Sequence, residues 1–129
     1  MVKLLLDTDT VDADLENKDG QTALLWAARN GRKAIVQLLL DTGTVDADSK
    51  DISGRTPLSW AAEYGQEAVV KLLLHTGTVD ADSKDISGRT PLSWAAWNEH
   101  GTVEHLLLNQ GAIPVQDLYG LITLFTLLQ

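Results

Sequence analysis

A stretch of 21 residues occurs twice in this chain, letter for letter. Thr42 to Ala62 reads TGTVDADSKDISGRTPLSWAA, and Thr76 to Ala96 repeats it at an offset of 34 residues. A weaker copy lies one further offset towards the N-terminus, where Gly20 to Ala28 (GQTALLWAA) aligns with Gly54 to Ala62. Gly20, Gly54 and Gly88 therefore share one register, as do Trp26, Trp60 and Trp94. Self-similarity at such a period restricts the chain to stacked structural repeats, each burying its apolar face against the next.

Each unit carries two helix signals. Thr56-Pro57 is a start: the hydroxyl suits the N-cap, and proline suits the first helical position because its missing N–H costs nothing there. Leu58, Ala61 and Ala62 follow at i, i+3 and i+4, a narrow apolar stripe whose small side chains admit a close neighbour. Gly65 supplies the left-handed residue that ends a helix. A second helix is expected from about Gln66 to Leu74, with Val69, Val70, Leu72, Leu73 and Leu74 apolar nearly all round and so buried on several sides. Between units, TVDADSKDIS has turn formers and β-branched residues but no helical period, and Asp51-Ile-Ser-Gly54 closes it; an extended, hairpin-like loop is expected. Helices of about nine residues do not persist alone in water, so stacking is obligatory.

Gly54-Arg-Thr-Pro-Leu-Ser-Trp-Ala-Ala, then Gly65, Val69-Val70-Lys71-Leu72-Leu73-Leu74 and Gly77 resemble the ankyrin repeat. The resemblance implies an all-α solenoid of helix-turn-helix units with projecting hairpin-like loops. It also implies a non-catalytic module that recognises another protein on its concave surface. The expected organisation is a single domain over residues 1–129: a partial unit 1–19, repeats 20–53, 54–87 and 88–119, and an atypical terminal helix 120–129. Because Val2-Lys-Leu-Leu-Leu matches Val70-Lys-Leu-Leu-Leu, the chain is expected to start inside a unit cut from a longer array. Arrays of the TPLSWAA kind also resemble the sensor regions of large fungal NTPase-type receptors. Departures from the family pattern are local. Ser59, Ser93 and Leu25 replace its usual histidine, the period exceeds the usual one by a residue, and Glu99 replaces the turn glycine. At that last turn Asn98 is expected to take the left-handed conformation.

The family pattern places partner contacts on the loop tips and the exposed end of the first helix. Here those positions are Ile52, Ser53, Arg55, Glu63 and Tyr64, then Ile86, Ser87, Arg89, Trp97 and Asn98. Trp26, Trp60 and Trp94 recur beside the Leu/Ala stripe and are expected to be buried between units. Trp97 differs, because its register partners Arg29 and Glu63 are charged and the position faces water. A tryptophan there is either an anchor for a partner or a cover over the irregular Glu99 turn.

Chemistry is otherwise sparse. The net charge of −8 disfavours nucleic acid and anionic membrane as partners. Without cysteine there are no disulfides or thiolate metal sites, and an intracellular, cytoplasmic setting is favoured. Asp46-x-Asp48-x-Lys50 has a cation where a calcium loop needs an oxygen ligand, so these aspartates read as solvated turn residues. His100 and His105 are spaced i, i+5 and point apart on a helix, so no zinc site is expected. No nucleophile, base and orienting group assemble, and neither catalysis nor a cofactor is expected. The alternative to recognition is a spacer or self-assembling segment, or a consensus-like engineered scaffold. A monomer is expected, with Leu121–Leu128 as the stretch through which self-association would run.

Overall fold

A computed structural model describes residues 16, 17 and 20–112. The partial unit 1–19, the terminal helix 120–129 and the apolar stretch Leu121–Leu128 fall wholly or almost wholly outside those residues. Six helices follow one another: α1 (Ala23–Arg29), α2 (Lys33–Asp41), α3 (Pro57–Glu63), α4 (Glu67–His75), α5 (Pro91–Trp97) and α6 (Gly101–Asn109). No strand occurs among the described residues.

The helix starts are built as the sequence implies. Thr22, Thr56 and Thr90 are the N-caps of α1, α3 and α5, and each hydroxyl accepts the backbone N–H three residues on, at 3.2 Å. Pro57 and Pro91 occupy the first turn. The helices pack in two layers. α1, α3 and α5 touch in sequence, α2, α4 and α6 touch in sequence, and short turns join α1 to α2, α3 to α4 and α5 to α6.

The core lies between the layers. Leu24, Ala27, Ala28, Leu58, Ala61, Ala62, Leu92 and Ala95 come from the first layer, and Val36, Leu39, Val69, Val70, Leu73, Val103 and Leu107 from the second. Each is at most 1% exposed. Burying a Leu or Val side chain stabilises by about 1.5–3 kcal/mol. Because these residues come from every unit, the core is continuous along the stack.

The loops between units are tight turns at their tips. Gly54 N–H donates to Asp51 O at 2.9 Å and Asp51 N–H to Arg55 O at 3.0 Å, closing a hairpin without a strand ladder. Successive tips are linked, since Ile86 N–H donates to Ser53 O at 3.0 Å. Gly54 is required twice over here. Its φ is +74°, and a Cβ on it would lie 3.1 Å from the backbone nitrogen of Ile86.

The third unit corrects one expectation. Asn98 has φ −97° and is an ordinary C-cap, its side-chain amide donating to Trp94 O at 2.9 Å. Glu99 itself adopts φ +60°, in register with Gly31 at +69° and Gly65 at +67°. The path into the next helix is kept by His100 N–H donating to Ala95 O, as Gln66 N–H does to Ala61 O, both at 2.9 Å. The shared geometry overrides the side chain's preference.

Candidate recognition surface

Asp51, Arg55 and Trp60 form one local unit, and Asp85, Arg89 and Trp94 form its copy. One carboxylate oxygen of Asp51 accepts the N–H groups of Ser53 at 2.9 Å and Arg55 at 3.0 Å. The other accepts Trp60 Nε1–H at 2.9 Å, fixing the indole over the start of its helix. Asp85 repeats this with Ser87, Arg89 and Trp94 Nε1, the last at 3.1 Å. In the first unit Asn17 and Gln21 stand in these places; Asn17 Oδ1 accepts Gln21 N–H at 3.0 Å.

Arg55 is not a surface residue. It is 6% exposed, with its guanidinium carbon 3.8 Å from the Trp60 ring centroid and 3.9 Å from that of Trp94 in the next unit. Nε donates to Ser59 Oγ at 3.1 Å, and Nη2 to Ser59 O at 3.3 Å. Nη1 lies 2.7 Å from Glu63 Oε1, an ion pair held by proximity and not by a linear hydrogen bond. Ser59 thus uses its hydroxyl to hold Arg55. A cation between two indole faces, with Nε and Nη2 donating and a carboxylate beside Nη1, can be buried where an unpaired one could not.

The contacts continue in both directions. Arg29 lies 5.5 Å from the Trp60 ring, and Arg89 lies 4.9 Å from Trp94 and 5.8 Å from Trp97. Cations and tryptophans therefore alternate along the stack. This corrects the expected burial of the recurring tryptophans. Trp60 and Trp94 are half-buried and Trp26 is 41% exposed; Trp60 and Trp94 pack on guanidinium groups and not on the apolar stripe alone. Tyr64 extends the surface, its ring stacked on Trp60 at 6.2 Å and 6°.

The remaining sequence-selected positions are accessible to different degrees. Ile52 is 69% exposed, Ile86 79%, Tyr64 51% and Trp97 54%. Ser87, Arg89 and Asn98 are exposed, Ser53 is half-buried, and the Glu63 side chain is 21% exposed. The loop tips and helix ends meet at Arg89, which starts in the turn beside Ile86 and reaches over Trp94 towards Trp97.

His100 and the loop aspartates Asp46, Asp48 and Asp80 have local partners. His100 Nε2 lies 2.9 Å from Glu63 O and therefore donates to it, tying α6 to the end of α3. Gln66 Nε2–H makes the equivalent bond to Arg29 O at 3.1 Å. Burial pushes the Glu104 carboxyl above its ordinary value, opposed by His105 and His100. Asp46 and Asp80 each accept the N–H two residues on, at 2.9 Å, which is the geometry of an Asx turn. Asp48 Oδ2 accepts Asp80 N–H from the next unit at 2.8 Å. Burial raises its pKa, the Asp80 N–H opposes the shift, the carboxylates of Asp80 and Asp46 add to it, and Lys50 opposes it. Among the described residues no three metal-ligating side chains gather, and no helix is long and apolar enough to cross a membrane.

No curated protein matches the chain. The family model described as ankyrin repeats, in 3 copies, matches residues 1–85 and 45–117. That span holds every helix pair and every turn described above, and the chain belongs to the ankyrin-repeat family.

Proposed function

We propose that this chain is a non-catalytic recognition module whose partner protein docks on the loop tips and first-helix ends. Ankyrin repeats as a class mediate protein–protein interaction. The observation that carries the reading is the set of exposed apolar side chains on the loop tips and first-helix ends. Ile52 and Ile86 are on consecutive tips, and Tyr64 and Trp97 are at consecutive helix ends, each at least 51% exposed. None of the four belongs to the apolar core; Tyr64 stacks on Trp60 and Trp97 lies beside Arg89, and both keep about half of their surface exposed. Ser53, Ser87 and Asn98 supply polar edges. Arg55 and Glu63 contribute from below, by holding the tryptophans that shape the surface.

Trp97 gives the sharpest test. Trp97→Glu restores the chemistry of its register partner Glu63, and as a surface change it should leave stability within about 0.5 kcal/mol. The affinity of a captured partner should fall by about 2 kcal/mol or more, as at an interface hot spot. Lost stability with unchanged affinity would make Trp97 a cover over the Glu99 turn and move the recognition surface elsewhere.

A further inference from the structure

Arg55 and Arg89 lie in the same repeated string, but their surroundings differ at three points. Where Arg55 has Glu63 at 2.7 Å, Arg89 has Trp97 at 5.8 Å from the ring. Arg55 Nε is held by Ser59 Oγ, whereas Ser93 Oγ turns back to its own helix start. It accepts Thr90 N–H at 2.8 Å and donates to Thr90 O at 2.7 Å. Finally, Arg55 has an indole on both faces, while Arg89 has Trp94 on one and Trp97 further off. The Arg89 guanidinium is exposed and makes no hydrogen bond or ion pair among the described residues. Among the described residues, an exposed cation beside two indoles thus stands without the carboxylate and the second close ring of the internal example.

We propose that Arg89, Trp94 and Trp97 form a receptor for a carboxylate side chain of the partner, set next to an aromatic or apolar residue. The acid takes the role that Glu63 has beside Arg55, and the adjacent side chain covers the guanidinium as Trp94 covers Arg55. This inference rests on the proposed recognition face and names the chemistry that face selects. Charge favours it: the guanidinium is a fork of donors matched to a carboxylate, and the indoles exclude water from one side of the contact. Arg55 and Glu63 show the same arrangement within the chain: a guanidinium between tryptophans with a carboxylate 2.7 Å away.

The test is a selection of random short peptides against the full chain. Enriched peptides are then titrated against the full chain, Arg89→Gln and a double variant Ile52→Asp, Ile86→Asp. The expected peptides carry Asp or Glu beside an aromatic or apolar residue. Changing that acid to its amide should weaken binding by about tenfold or more, as loss of a charge-assisted contact does. Arg89→Gln should do the same, and the two changes together should cost no more than either alone. The unfolding midpoint of Arg89→Gln should fall only slightly, by the loss of one exposed cation–aromatic contact. Peptides without an acid, or with full affinity for Arg89→Gln, overturn the carboxylate receptor. If those peptides still need Ile52 and Ile86, the recognition face stands without it; if they ignore both sets, or nothing is enriched, both readings fall. Concentration-dependent growth of the chain that Arg89→Gln abolishes would assign Arg89 to a second copy and overturn the proposal.

Discussion

Asp48 holds one carboxylate oxygen in a hydrogen bond across units while the other, Oδ1, is buried without a hydrogen-bond partner. Its pKa is raised, chiefly by burial. A carboxyl that binds its proton more readily folded than unfolded contributes most favourably at low pH. That contribution declines as pH rises from the ordinary aspartate value through the folded one. Asp48→Asn keeps an acceptor for Asp80 N–H and removes the buried charge. The variant should melt higher than the parent at pH 7, and the gap should close towards pH 4. A lower midpoint at pH 7 would mean that the ionised carboxylate stabilises the loop pair. At this scale the sequence was least legible. Arg55 and Arg89 sit in identical strings, and what separates a buried cation from an exposed one lies outside them, as in Glu63 against Trp97. The placement of Trp60 was hidden similarly, because burial against a guanidinium leaves no apolar pattern to read.

Among the elements, the starts of α1, α3 and α5 were legible, since a threonine cap, with proline after it in α3 and α5, acts on the backbone within one turn. The turn between α5 and α6 was not. Glu99 was expected to hand its left-handed position to Asn98, but the bonds on either side, Asn98 N–H to Trp94 O and His100 N–H to Ala95 O, fix which residue turns. A non-glycine residue at φ +60° is strained by roughly 1–2 kcal/mol. Glycine would relieve the strain while adding freedom to the unfolded chain. Glu99→Gly should therefore stabilise by about 0.5–1 kcal/mol in chemical denaturation. A destabilised variant would show that the Glu99 side chain makes a compensating contact.

Across the whole molecule, stability is a sum over units and their interfaces. Deleting Thr42–His75 removes one unit in register and joins the first unit to the third. The shortened chain should keep its helical circular dichroism and lose part of its unfolding midpoint. Gln21 would then stand where Arg55 stood, so the join should also lack the cation between tryptophans. Complete loss of helicity would mean an indivisible core. The central claim is that the repeated arginine is structural as Arg55, between two described units, and serves a partner, as proposed above, as Arg89. The direct measurement is the unfolding free energy of Arg55→Ala beside that of Arg89→Ala. Arg55→Ala strands Glu63 and opens a gap between two indoles, which should cost about 3 kcal/mol. Arg89→Ala gives up one exposed cation–aromatic contact, about 0.5–1 kcal/mol. Equal costs, or a larger one at Arg89, would contradict the account.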